Sequence, residues 1–320
     1  MKLPLSLPPR EAKPFDAVGF GQNSIDVLAV VPRFPVPNEK MPLAGFETMA
    51  GGEAATAMVA CARLGWRSRY VGKAGNDTYG DLLLDALRRE DVDVSAVQRV
   101  DAPNRMALIL VDGPGGTRTV LWRRDPSLVV SPGDVNLAAV TSGRVLMLDA
   151  YDTGASIAVA RAARAAGVPT VLDAERPLPG IDTLTSLIDV VIVSETFLVE
   201  WCGIADAGRG LRRLADASGA ALTVVTLGAS GSLAWCQGQE VRTPGFVVSV
   251  ADPTGAGDAF RGGFIAGWMT HGEGGEVDTL MEYANAVAAC NCRHVGAQAG
   301  LPSSREVEAL VTGLAGARSK

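Results

Sequence analysis

A chain of 320 residues, 48% hydrophobic and 20% charged, has the make-up of a large folded domain and excludes a disordered segment. Lysines and arginines number 29 against 35 aspartates and glutamates, a net charge of −6, so affinity drawn mainly from nucleic-acid phosphates is not expected. Five cysteines scattered through apolar segments, with only two histidines, fit neither a disulfide framework nor a zinc site.

At the N-terminus, the proline-broken stretch MKLPLSLPPREAKPFD offers too short an apolar run for a signal peptide. The longest uncharged window, 217–239, is interrupted by glycines and serines and does not read as a membrane span. A soluble cytoplasmic protein is the expectation. Apolar runs rich in β-branched residues predict strands at 16–20, 106–111, 119–122, 145–149, 170–173, 190–193, 222–226 and 232–235. Helix-like stretches fall at 54–64, 80–89, 156–166, 197–202 and 209–217, and the chain from Gly255 onward reads as mostly helical. Wholly apolar strands separated by helices predict an α/β fold with a mostly parallel central sheet covered on both faces. No repeat or linker divides the chain, so one domain over 1–320 is expected. Two stretches break the pattern: 29–49, with Pro32, Pro35, Pro37 and Pro42, and 101–124, where Gly113, Gly115 and Gly116 between strand-like runs predict a hairpin. Surface loops or a small lid would both account for them.

The segment 252–258, Asp-Pro-Thr-Gly-Ala-Gly-Asp, carries the chemistry. Proline and glycines mark a turn, and the following AFRGGFIAGWM marks a helix. Such a turn delivers free backbone N–H groups at a helix N-terminus, where an anion is favoured. Asp258, in the first helical turn, would sit beside that anion and could accept a proton from a hydroxyl attacking phosphorus. A plain helix cap would use the same residue. Gly262, Gly263 and Gly267 each cost that helix about 1 kcal/mol relative to alanine, which signals close packing or close approach of a ligand.

Residues 252–258 match at every position a signature of the form D-[TP]-T-G-A-G-D. About two hundred residues earlier stand Gly51-Gly52-Glu53-Ala54-Ala55-Thr56-Ala57, then Arg63-Leu64-Gly65 and Val71-Gly72-Lys73-Ala74-Gly75-Asn76-Asp77. In this order the two segments resemble the signatures of the ribokinase-like (PfkB) carbohydrate kinases. That resemblance implies a three-layer α/β sandwich with a small β-lid formed by the excursions at 29–49 and 101–124. It also implies transfer of the ATP γ-phosphoryl group to a sugar hydroxyl, with Mg²⁺ as cofactor. Asp258 then resembles the catalytic base, and Gly255, Ala256 and Gly257 the anion hole. Asn23, Asp26, Gly51, Gly52, Thr56 and Asp149 fall at sugar-binding positions, and Arg118 could reach the substrate from the lid. Ser194, Thr226, Gly228, Ser230, Gly231 and Asn285 fall around the nucleotide. Asp252, Thr254, Asn291, His294, Gly296 and Gly300 match positions where some members hold a monovalent cation such as K⁺. An exposed lid sheet suggests a homodimer.

Departures narrow the expectation. Many members carry Asn-x-x-Glu to organise Mg²⁺, whereas this chain reads Ser194-Glu195-Thr196-Phe197; either Glu195 or Glu200 substitutes, or the metal rests mainly on phosphates and water. Glu53 and Thr56 stand where ribose-specific members have lysine and asparagine, which argues against ribose. The pattern looks more like the ketohexokinase and sulfofructose kinase branch, so a furanose ketose phosphorylated on a primary hydroxyl is the favoured acceptor. The alternatives are a nucleoside kinase of the same superfamily and a non-catalytic sugar-binding regulator, the latter suggested by Phe197. Gly19-Phe20-Gly21 lacks the third glycine of a dinucleotide fingerprint, and Gly72-Lys73 is followed by Ala74, not the Ser or Thr of a P-loop.

Overall fold

The computed structural model describes residues 1–112, 117–272 and 274–318. Gly113, Gly115 and Gly116, the centre of the expected hairpin, lie outside the described residues. The first third of the chain contains β1 (Phe15–Phe20), β2 (Ser24–Val31), β3 (Gly45–Gly51), α1 (Glu53–Arg63), β4 (Ser68–Val71), β5 (Lys73–Gly75), α2 (Thr78–Arg89), β6 (Val92–Asp93) and β7 (Gln98–Val100). The middle adds β8 (Met106–Asp112), β9 (Arg118–Arg123), α3 (Leu137–Val140), β10 (Gly143–Asp149), α4 (Thr153–Ala165), β11 (Thr170–Ala174), α5 (Ile181–Thr185) and β12 (Val190–Ser194). There follow α6 (Glu195–Cys202), α7 (Ala207–Ser218), β13 (Leu222–Thr226), β14 (Ser232–Cys236), β15 (Gln239–Thr243), α8 (Ala256–His271), α9 (Val277–Asn291) and α10 (Ser304–Arg318).

Nine strands form the central sheet in the order β15-β14-β13-β12-β11-β10-β1-β4-β6. All neighbours run parallel except β13–β14 and β14–β15 at one edge. Because side chains alternate along a strand, β10 feeds two separate cores. Val145 and Met147 enter the layer shared with α1, α8 and α9, while Leu146 and Leu148 enter the layer shared with α4 and α7. Burial on both faces explains why these strands are apolar at every position.

A second sheet, β3-β2-β8-β9, stands apart from the first and contains the expected hairpin, with β8 and β9 antiparallel. It starts earlier than expected. The sequence places the first excursion at 29–49, but β2 begins at Ser24, directly after the Gly21 turn. Eight consecutive residues of SIDVLAVV carry no turn signal of their own, so the strand runs unbroken, and Asp26 sits on it rather than in a solvated turn.

The glycines of α8 answer the question their cost raised. A Cβ on Gly262 would fall 2.6 Å from Ala60 Cβ and 2.7 Å from Ala57 O on α1, and one on Gly263 would lie 2.8 Å from Val287 Cβ on α9. They allow three helices to pack closely. Among the described residues, no helix is long and apolar enough to cross a membrane.

Candidate active site

The N-terminus of α8 is built by the turn before it. Gly255 caps the helix in the left-handed region, φ 74°, where a side chain would be strained. Asp252 organises the turn: Oδ1 accepts from Thr254 N at 2.9 Å and Thr254 Oγ1 at 2.7 Å, and Oδ2 accepts from Gly296 N at 2.9 Å. Ala256 N–H turns back onto Pro253 O at 3.2 Å, and Ala259 N–H donates to Gly255 O at 2.8 Å. Of the expected anion-hole trio, Ala256 is thus partly engaged. The Gly257 and Asp258 amides occupy the first turn, where a helix leaves its N–H groups free for an anion.

The neighbours of Asp258 line two cavities: the residues just before it in the chain line one, and carboxylates whose charges act on it line the other. Ala256 and Gly257 line the larger, of about 420 Å³, together with Thr226, Gly228, Gly231 and Asn285. Its remaining wall is apolar, from Phe246 to Val250, Phe260 and Ala288, which suits a flat aromatic base. The smaller cavity is lined by Glu53, Asp149, Tyr151, Asp173 and Glu175. Burial first, then the charges of Asp173, Glu53 and Glu175, push the Asp258 carboxyl well above the ordinary carboxylate range, while Arg261 pulls it back. A base raised toward neutrality accepts a proton more readily.

The sugar-binding candidates converge at the lid hinge, with different tasks. Gly51 and Gly52 lead from β3 into α1, and a Cβ on Gly51 would strike Asp26 Oδ2 at 2.3 Å. Asp26 Oδ1 accepts from Ser24 Oγ at 2.7 Å, and burial raises its pKa. Asp149 accepts from the Gln22 and Tyr151 amides at 2.5 and 3.1 Å; burial and then Glu53 nevertheless hold its pKa well up. Asn23 is committed to the protein: its Nδ2 donates to Tyr70 Oη at 2.8 Å and Lys73 O at 2.7 Å. Thr56 is fully buried and its Oγ1 accepts from Gln298 Nε2 at 3.2 Å. Arg118 reaches past the sugar region to the turn, donating to Thr254 Oγ1 at 2.7 Å, with Asp252 Oδ1 at 3.4 Å.

Two nucleotide candidates stand off the larger cavity. Ser194 caps α6, accepting from Phe197 N at 3.1 Å, and Ser230 is exposed on the turn after β13. Asn285 uses its Nδ2 on Ser232 Oγ, Thr243 O and Pro244 O, which fixes the strand end beside the cavity. Phe197 is buried against Trp201, and Glu195 and Glu200 point to solvent. Among the described residues, no group of three or more His, Cys, Asp or Glu is placed to hold a metal ion. The monovalent-cation candidates do assemble. Asn291 Nδ2 donates to Thr254 O and Ala297 O, both at 3.1 Å, and a Cβ on Gly300 would strike Asn291 O. His294 is exposed, however, and the guanidinium of Arg118 already supplies Asp252 with a positive charge. The cluster therefore holds together through its own donors.

Sequence reasoning did not single out Tyr151, Asp173, Glu175, Arg105 or Arg261. Arg105 pairs with Glu53 at 3.3 Å and lies 5.3 Å from the Tyr151 ring centre. The available signal was position: Asp173 stands at the carboxyl end of a parallel strand and Glu175 just past it, where ligands of open α/β sheets bind.

Comparison with known proteins agrees with this geometry. The profile of the pfkB family carbohydrate kinases matches residues 16–304. Ribokinase of Haemophilus influenzae is 28% identical over 298 residues, covering 89% of this chain and 95% of the relative. A fructokinase of Klebsiella pneumoniae is 32% identical over 241 residues, covering 69% and 78%. The crystal structure of a fructokinase with bound ATP from Xylella fastidiosa superposes with a TM-score of 0.79 at 25% identity, covering 94% of this chain and 99% of that one. This chain belongs to the pfkB family of carbohydrate kinases and has the ribokinase-like fold. The comparisons reach ribokinases and fructokinases alike and do not single out the ketohexokinase branch.

Proposed function

We propose that the protein transfers the γ-phosphoryl group of ATP to a primary hydroxyl of a sugar, a ketose in furanose form being the favoured acceptor. The observation that carries this reading is the place of Asp258: in the first turn of α8, next in the chain to Gly257, which lines the large apolar-walled cavity, and acted on by Glu53, Asp173 and Glu175, which line the smaller one. Adenine would lie against Phe246 and Val248, and the phosphates would extend to the Gly257 and Asp258 amides, whose dipoles favour the charge that develops on the transferring group. The acceptor would enter under the lid near Asp26, Gly51 and Gly52. Asp258 would take its hydroxyl proton as the oxygen attacks phosphorus. Mg²⁺, when bound, neutralises phosphate oxygens; with no carboxylate cage among the described residues it would rest on phosphates and water. Glu53 and Thr56, standing where ribose-specific members carry lysine and asparagine, are what favours a ketose over ribose.

An ATP-consumption screen over ketoses, aldoses, sugar acids and nucleosides, with and without Mg²⁺, tests the reading; turnover with a ketose is the expected result. Asp258→Asn should lower kcat by about 100- to 10,000-fold, the usual range for a general base, while ATP still raises the melting temperature. Undiminished turnover would remove Asp258 from the mechanism. We also propose that two copies pair through the lid sheet, whose two faces carry the exposed side chains of Trp122, on the side of Asp26, and of Phe46, on the opposite side, at 63% and 60% exposure.

A further inference from the structure

Three residues beyond Asp258, on the same side of α8, Arg261 is buried to 2% exposure with its guanidinium turned toward β11. Its Nη2 lies 2.7 Å from Asp173 Oδ1, itself on a side chain only 1% exposed. The two groups meet off the axis of a hydrogen bond, so Arg261 Nε and Nη2 and both Asp173 carboxylate oxygens lack an aligned partner. Nη1 touches the floor of the phosphate cradle, for a Cβ on Gly257 would fall 2.5 Å from it. A buried ion pair with loose geometry adds little stability, because desolvation offsets the attraction. Such a pair under an active site calls for another reason to exist.

We propose that Arg261, anchored by Asp173, is a positioning residue for phosphoryl transfer: it supports the Gly257 amide from beneath and presents one fixed positive charge to the carboxylates grouped around Asp258. At 2% exposure it cannot touch the acceptor, so it acts through its neighbours. The charges facing Asp258 are Arg261 on its own helix, Glu53 on α1, and Asp173 and Glu175 at the end of β11. Arg105, arriving from the lid side, is already paired with Glu53. Arg261 is thus the one positive group among those acting most strongly on Asp258. Without it, Asp258 would keep its proton to higher pH and lose its capacity to accept another.

The inference rests on Asp258 being the base, and the experiment separates the two. The pH dependence of kcat is measured at saturating ATP and Mg²⁺, with the best acceptor from the screen, for the wild type, Arg261→Lys, Arg261→Met, Asp173→Asn and Asp258→Asn. Melting curves establish that each variant is folded. Arg261→Met should move the acidic limb to higher pH by roughly one to three units, the span an adjacent opposite charge commonly commands. Arg261→Lys should return it toward the wild-type position. Asp173→Asn should move it to lower pH, and being nearly isosteric it keeps the test available if Arg261→Met does not fold. A limb that stays fixed in Arg261→Met and Asp173→Asn, with activity lowered equally at every pH, would overturn the inference while leaving Asp258 as base. Full activity in Asp258→Asn would overturn the base and the inference together.

Discussion

At the residue scale, the site holds an unusual density of buried acids, with consequences for stability as well as turnover. Burial first, opposed by Arg261 and reinforced by Glu175 and Glu53, pushes Asp173 up to about 7. Asp26, Asp149, Glu175 and Asp258 are raised as well, each chiefly by burial. A carboxyl whose pKa is higher folded than unfolded binds its proton more tightly in the native state. Its contribution is complete below about pH 4, the unfolded value, and is lost as pH climbs through the folded value. Asp134, held down to about 2 by Lys73 and the Ser131 amide, behaves oppositely, as do Glu90 beside Arg63 and Asp93. Their contribution is present above about pH 4 and disappears under stronger acid. The ligand-free protein should therefore melt at higher temperature in weak acid than at slightly alkaline pH, then weaken again in strong acid. Asp173→Asn should flatten the slope between about pH 4 and pH 7. A wild-type melting temperature that is highest on the alkaline side would contradict this.

At the scale of elements, α8 is the member on which the others depend, since α1 and α9 both pack on it across glycines. Gly262→Ala would gain about 1 kcal/mol of helix propensity but drive a methyl into the Ala57 carbonyl and Ala60, and such overpacking typically costs about 1–3 kcal/mol. Net destabilisation in urea unfolding is the expected outcome. Gly154→Ala in α4 provides the contrast: the nearest atom to a new Cβ is Pro132 Cγ at 3.9 Å, so this change should be neutral or stabilising. Helix α8 also shows how far sequence reasoning reaches. Its start was legible, because a proline, two glycines and an acid before an apolar run leave few other readings. The parallel sheet was legible from strands such as 190–193, apolar at every position. The early start of β2 was not, since no local signal separates a strand of the main sheet from a lid strand that follows a single glycine. Nor was the Arg261–Asp173 pair, because ion pairing between an α8 residue and a β11 end depends on which elements the fold brings together. Asn23 shows a third limit: its residue type and position suit a sugar, yet Tyr70 and Lys73 take up its amide.

At the scale of the whole molecule, the lid sheet is left without cover at its β9 edge. Every residue of β9 is exposed, with Val120 and Trp122 projecting from the face that carries Asp26 and Leu121 from the opposite one, apolar side chains that a monomer rarely leaves bare together. Light scattering should report a dimer in solution, and Trp122→Asp should convert it to a monomer that remains folded. A monomeric wild type would exclude pairing through this sheet.

Arg118 links that outer sheet to the chemistry. It ties β9 of the lid to Thr254 and Asp252 in the turn before α8. Lifting the cover withdraws a cation from the carboxylate that ties Thr254 to Gly296. On the proposed function, admission of the acceptor under the lid would therefore be felt at the seat of the phosphates.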